Sequence, residues 1–87
     1  MKIKEGFILR EVAGSYLVVA VGKAVKEFNG VVNLNETGAF LWKLLEKSAT
    51  EEEMVNALLE EYDVDRATAE ADVKGFVDKL LEAKLAD

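Results

Sequence analysis

This sequence predicts the α+β class, a three-stranded antiparallel sheet followed by a three-helix bundle, and three observations carry the prediction. The first third is rich in Val, Ile, Leu, Phe and Tyr and is punctuated by Gly6, Gly14, Gly22 and Gly30, which is strand and turn spacing. From Asn35 onward the apolar residues recur at intervals of three and four, the period of a helix. With 87 residues, 51% of them hydrophobic and 32% charged, the chain has room for one core and is expected to form one domain over 1–87.

Taken in order, Phe7 to Val12 makes the first strand, Ala13-Gly14-Ser15 a turn, and Tyr16 to Val21 a second strand whose unbroken apolar run predicts burial on both faces. A connection, Gly22 to Phe28, follows, in which Val25 to Phe28 reads equally as a paired strand or as a loop. Asn29-Gly30 suits a type I′ turn, since both residues tolerate positive φ, and it leaves Val31 to Leu34 as a short third strand. Asn35 can cap the first helix, with Phe40, Leu41, Leu44 and Leu45 on its apolar face and Lys47-Ser48-Ala49 at its end. Thr50 and Glu53 form a capping box for the second, and Met54, Val55, Leu58, Leu59 and Tyr62 face inward from it. Asp65 caps the third and longest, expected to run to about Leu85.

The side chains present exclude much chemistry. There is no histidine and no cysteine, so the usual zinc, haem and iron–sulfur ligand sets and thiol nucleophiles are missing, and neither a metal nor another cofactor is expected. The hydroxyls of Ser15, Thr37, Ser48 and Thr50 have no base at a spacing that would activate them. Adjacent carboxylates such as Glu51-Glu52-Glu53 solvate a helix surface, and the glycines make no phosphate-cradling pattern. No catalytic residue is therefore expected. The longest apolar run, Leu17 to Val21, is too short for a signal or a membrane span, and the reading is a cytoplasmic protein with no membrane partner.

Charge is placed unevenly. Residues 1–34 carry five basic and three acidic groups, for +2; residues 35–87 carry six basic and fourteen acidic groups, for −8. An acidic half of this kind repels a phosphate backbone, so nucleic acid is not an expected partner.

Two features are left over. In the last helix Val73, Phe76, Val77, Leu80, Leu81 and Leu85 spread over about half the circumference, wider than the roughly 100° stripe one neighbour needs. Lys74 and Lys84 fall in or beside that arc, with stems long enough to lie along apolar surface. The strand Val31 to Leu34 carries no proline and no charge, so as a sheet edge it can accept another strand, and proline at Val32 is expected to remove an edge amide.

The stretch Leu34-Asn35-Glu36-Thr37-Gly38-Ala39 with Trp42, the opening Thr50-Glu51-Glu52-Glu53 and the pair Asp72-Val73 together resemble the PqqD-like proteins, named for the small D component of pyrroloquinoline quinone biosynthesis. The similarity spans about Gly6 to Leu85. It implies a winged-helix-like domain that binds, without modifying, the leader segment of a ribosomally synthesised precursor peptide and presents it to a modifying enzyme, commonly a radical S-adenosylmethionine enzyme. Carried onto this chain, the resemblance implies peptide contacts at Val31, Val32, Asn33 and Leu34 on the edge and at Val73, Lys74, Val77, Leu81 and Lys84 on the helix. The chain is expected to act as a monomer or weak homodimer. Two rival readings are a winged-helix DNA-binding regulator, disfavoured because four basic and four acidic groups cancel over 66–85, and a structural homodimerisation module pairing through the same open edge.

Overall fold

A computed structural model describes residues 1–28 and 30–86. Strands β1 (Phe7–Val12) and β2 (Ser15–Ala20) form a hairpin closed by Ala13 and Gly14 alone, with φ of 51° and 81°. Positive φ at both loop residues is the type I′ geometry whose twist matches the flanking strands. Ser15, expected in the turn, is therefore the first residue of β2.

The Gly22 to Phe28 connection is neither strand nor loop but a one-turn helix, α1 (Ala24–Glu27), which adds a fourth helix to the three expected. It sits tightly on the start of the sheet. A Cβ at Gly6, whose φ is 95°, would lie 2.7 Å from the Ala24 Cβ, and the Phe28 ring stands edge-on to Phe7 with centroids 5.4 Å apart. Of the expected Asn29-Gly30 turn, Asn29 lies outside the described residues.

Strand β3 (Val32–Leu34) pairs antiparallel with β2 through Tyr16↔Leu34, Leu17↔Asn33 and Val18↔Val32, and the sheet order is β1-β2-β3. Val31, expected inside the strand, precedes it. Val18 and Leu34 are buried and Val32 packs against the same core, whereas Leu17 and Val19, on the opposite face, are only half-buried. Burial of β2 on both faces is thus corrected to burial on one, because the core that the helices build meets only the Val18 face.

Helix α2 (Glu36–Leu45) begins where the Asn35 side chain accepts from the Gly38 N–H at 2.7 Å, and α3 (Glu51–Glu61) begins at the complete Thr50–Glu53 capping box. Helix α4 (Arg66–Glu82) is capped by Asp65, which accepts from the Thr68 N–H at 2.8 Å. It stops three residues before Leu85. Lys84 turns left-handed with φ 61°, while the Leu85 and Lys84 N–H groups donate to the Leu80 and Leu81 carbonyls. That is a Schellman closure, and it swings Leu85 into the core, fully buried. Ile3 then bridges Ala86, so both chain ends are tied to the same place. Trp42, Leu41, Leu45, Met54, Leu58, Leu80, Leu85, Val18 and Val73 form the fully buried centre.

Candidate functional site

The hairpin turn determines which backbone groups the sheet leaves open. In a two-residue hairpin the residues flanking the loop, Val12 and Ser15, exchange both ladder hydrogen bonds, and hydrogen-bonded pairs alternate from there. Ser15, Leu17 and Val19 thus point their amides and carbonyls at β1, and Tyr16 and Val18 point theirs at β3. The pairs Tyr16↔Leu34 and Val18↔Val32 are then the bonded ones. Asn33, between them, aims its N–H and C=O at the outer edge. The edge amide is that of Asn33 and not, as the sequence reading had it, that of Val32.

No strand lies beyond β3 among the described residues. The edge is approached instead by α4, whose Lys79 ammonium donates to the Asn33 carbonyl. Lysine at a sheet edge is a common guard against unwanted pairing. Beside it, between β3, the start of α2 and α4, lies a cavity of about 260 Å³. Leu34, Gly38, Leu41, Gly75 and Phe76 give its walls, and Asp72 and Lys79 stand at its rim. Gly75 is exposed in mid-helix and a Cβ there would touch nothing within 4 Å, so it notches the helix surface and keeps the groove wide.

Helix α4 has a second flank, facing α3. There Val55, Val73, Val77 and Leu81 line a cleft of about 510 Å³ bordered by Glu51, Glu52, Glu70 and Asp78. Several of its charges pair within the domain: Arg66 with Glu52 at 2.8 Å and Glu70 at 3.0 Å, and Lys74 with Asp78 at 3.5 Å. The Arg66 guanidinium is held charged even more firmly than usual by hydrogen bonding to Glu52. This cleft offers no strand edge.

Of the residues expected at the site, Val32, Asn33 and Leu34 form the edge strand and the half-exposed Val31 leads into it. The five helix residues do not join them. Val73 and Val77 are buried in the core, Lys74 and Leu81 lie on the α3 flank, and Lys84 borders a separate hollow with Phe7 and Phe28. The helix face that meets the edge is Asp72, Gly75, Phe76 and Lys79. Two signals in the sequence marked it: a glycine interrupting a helix, and a lysine one turn further along the same face. The groups whose titration is shifted stand elsewhere. Tyr62, edge-on to Phe40, is raised by burial and then by Glu36 and Glu61; Asp65 is lowered by Thr68. The Trp42 indole N–H, at the centre of the core, has no hydrogen-bond partner among the described residues.

An open strand edge beside a notched helix is the geometry that strand-adding recognition domains use. The chain belongs to a known family of that size and order: the model described as Coenzyme PQQ synthesis protein D (PqqD) matches residues 7–86. Among solved structures the fold is similar to "TbiB1 in Complex with the TbiA(beta) Leader Peptide", with 28% identity over 98% of this chain and 93% of that one and a TM-score of 0.76. It is also similar to "Lasso peptide synthetase B1 complexed with the leader peptide", at 20% identity over 97% and 93% with a TM-score of 0.75, a likeness of fold. The comparison with curated proteins finds no match.

Proposed function

We propose that this protein is a recognition element for the leader segment of a ribosomally synthesised precursor peptide, captured as a fourth strand antiparallel to β3. The single observation that carries the reading is the outward-facing Asn33 backbone beside the cavity lined by Leu34, Gly75 and Phe76. The edge supplies main-chain hydrogen bonds, and the cavity takes an apolar side chain of the guest. Family membership and the leader-bound state of the structure at 28% identity support it. The site is therefore Val31 to Leu34 on the strand, as the sequence implied, with Asp72, Gly75, Phe76 and Lys79 replacing the expected helix residues. Val73 and Val77 are buried in the core on the α3 side.

The protein binds and does no chemistry itself; it hands the leader to a separate modifying enzyme, a radical S-adenosylmethionine enzyme being the partner the resemblance implies. A cytoplasmic place of work is part of the same proposal; among the described residues no helix is long and apolar enough to cross a membrane. Burial of a few guest side chains, offset by ordering a disordered leader, places the affinity at roughly micromolar to submicromolar.

Asn33→Pro tests the reading, since it deletes the outward amide and leaves the bonded pairs on either side. Fluorescence anisotropy with a labelled precursor leader should show affinity reduced at least about tenfold, the cost of one lost hydrogen bond and a poorer fit, while circular dichroism stays native. Unchanged affinity in the folded variant would remove the strand-addition reading.

A further inference from the structure

Among the described residues, the open edge of β3 has one side-chain partner, the Lys79 ammonium on the Asn33 carbonyl. A strand adding to β3 places its own N–H on that carbonyl and competes there with Lys79. The freed ammonium then stands at the mouth of the groove, at the end of the cavity away from Asp72. We infer that Lys79 selects leaders carrying a carboxylate at this point, an inference that rests on the strand capture proposed above.

Register says where the carboxylate belongs. Directly opposed residues share a face of the sheet, so guest residues opposite Leu34 and Val32 point toward α4 and the residue opposite Asn33 points away. Leu34 lines the cavity, so the guest residue opposite it is the apolar one that enters. An antiparallel guest runs from Leu34 toward Val32. Its next inward side chain, two residues further on, is opposite Val32, and we place it on the Lys79 side of the groove, since Lys79 reaches the Asn33 carbonyl between Leu34 and Val32 in the register. The recognised pattern is an apolar residue, any residue, then Asp or Glu. Asp72 stands seven residues before Lys79 on the same helix face, about 10 Å away along the axis. It repels an acid on the N-terminal side of the apolar residue, so the two rim charges fix the direction of the guest as well as its composition.

The test uses a random peptide library displayed on phage, selected on the wild-type protein and on Lys79→Glu and Lys79→Gln. Lys79 is exposed, so both variants should fold, which thermal melts check before selection. The wild type should enrich Asp or Glu two residues after an apolar position. Lys79→Glu should move that position to Lys or Arg with the apolar position unchanged, and Lys79→Gln should leave it unselected. For one selected peptide, exchanging the carboxylate for its amide should weaken wild-type binding about two- to fivefold at low salt and leave Lys79→Gln binding unchanged. The same acidic enrichment on all three proteins, or peptides that need Asn33 but show no charge preference, would overturn the role of Lys79 and leave strand capture standing. Failure of the folded wild type to select any peptide would overturn both.

Discussion

The two flanks of α4 share a backbone and an apolar ridge, yet they meet opposite fates. Toward α3, Val73, Val77 and Val55 line one cleft, and several of the charges around it pair within the domain: Arg66 with Glu52 and Glu70, Lys74 with Asp78. Toward β3, a glycine replaces a packing side chain, a cavity stays open, and Lys79 rests on a backbone carbonyl that no strand has taken. The larger cleft is the finished one. What separates them is backbone: among the described residues, of the two flanks only that of β3 has a strand edge, its Asn33 amide and carbonyl facing outward with no strand paired to them. The site proposed here is marked by an unfilled strand edge more than by the volume of a hollow.

Substitutions on each flank can break or sharpen this contrast. The largest effect should come from Leu80→Ala, which empties a fully buried position serving both flanks. About 2 to 5 kcal/mol of stability should be lost in urea titration, and capture should fail only where the fold does. Next comes Gly75→Leu, which fills the notch on the β3 flank. Leader affinity should drop about tenfold or more with stability unchanged or raised, because a poor helix former is replaced by a good one. Leu81→Glu on the α3 flank is its counterpart and should leave affinity unchanged; equal losses in the two would erase the distinction. Smaller still, Thr50→Ala removes one half of the α3 capping box and should cost about 1 kcal/mol in thermal or urea unfolding without touching capture.

The smallest effect concerns Asp65. Hydrogen bonding by Thr68, through its side chain first and its backbone N–H second, holds this carboxyl below the ordinary value of 3.8. A depressed folded-state pKa means the cap stabilises the fold fully above the unfolded value and is lost as pH falls through the folded one. Stability measured against pH should therefore decline below about 3.8, and the decline should be shallower in Asp65→Asn.

Local chemistry was legible in the sequence. Asn35, Thr50 with Glu53 and Asp65 all cap the helices assigned to them, because a cap depends on residues three apart in the chain. The open edge was legible too, as a strand without proline or charge, and the order of motifs from Leu34 to Trp42 pointed to the family that the chain proves to belong to. The flank of α4 proposed for the guest was not. Val73, Phe76, Val77 and Leu80 define an apolar arc, but a helical period is symmetric about its centre and says nothing of which neighbour stands on which side. The edge amide was misassigned from Asn33 to Val32 for a related reason. Its parity is counted from the hairpin loop, and the loop is two residues long only because Ala13 accepts a left-handed backbone. Helix α1 escaped because what holds it, the approach of Ala24 to Gly6 and of Phe28 to Phe7, is tertiary.

The most direct measurement is amide exchange and chemical-shift mapping of the ¹⁵N-labelled protein during titration with a precursor leader. Bound peptide should slow exchange of the Asn33 amide and shift Gly75, Phe76 and Lys79, with Val55, Lys74 and Leu81 unmoved. Protection centred on the α3–α4 cleft, with the Asn33 amide exchanging as in the free protein, would contradict the account.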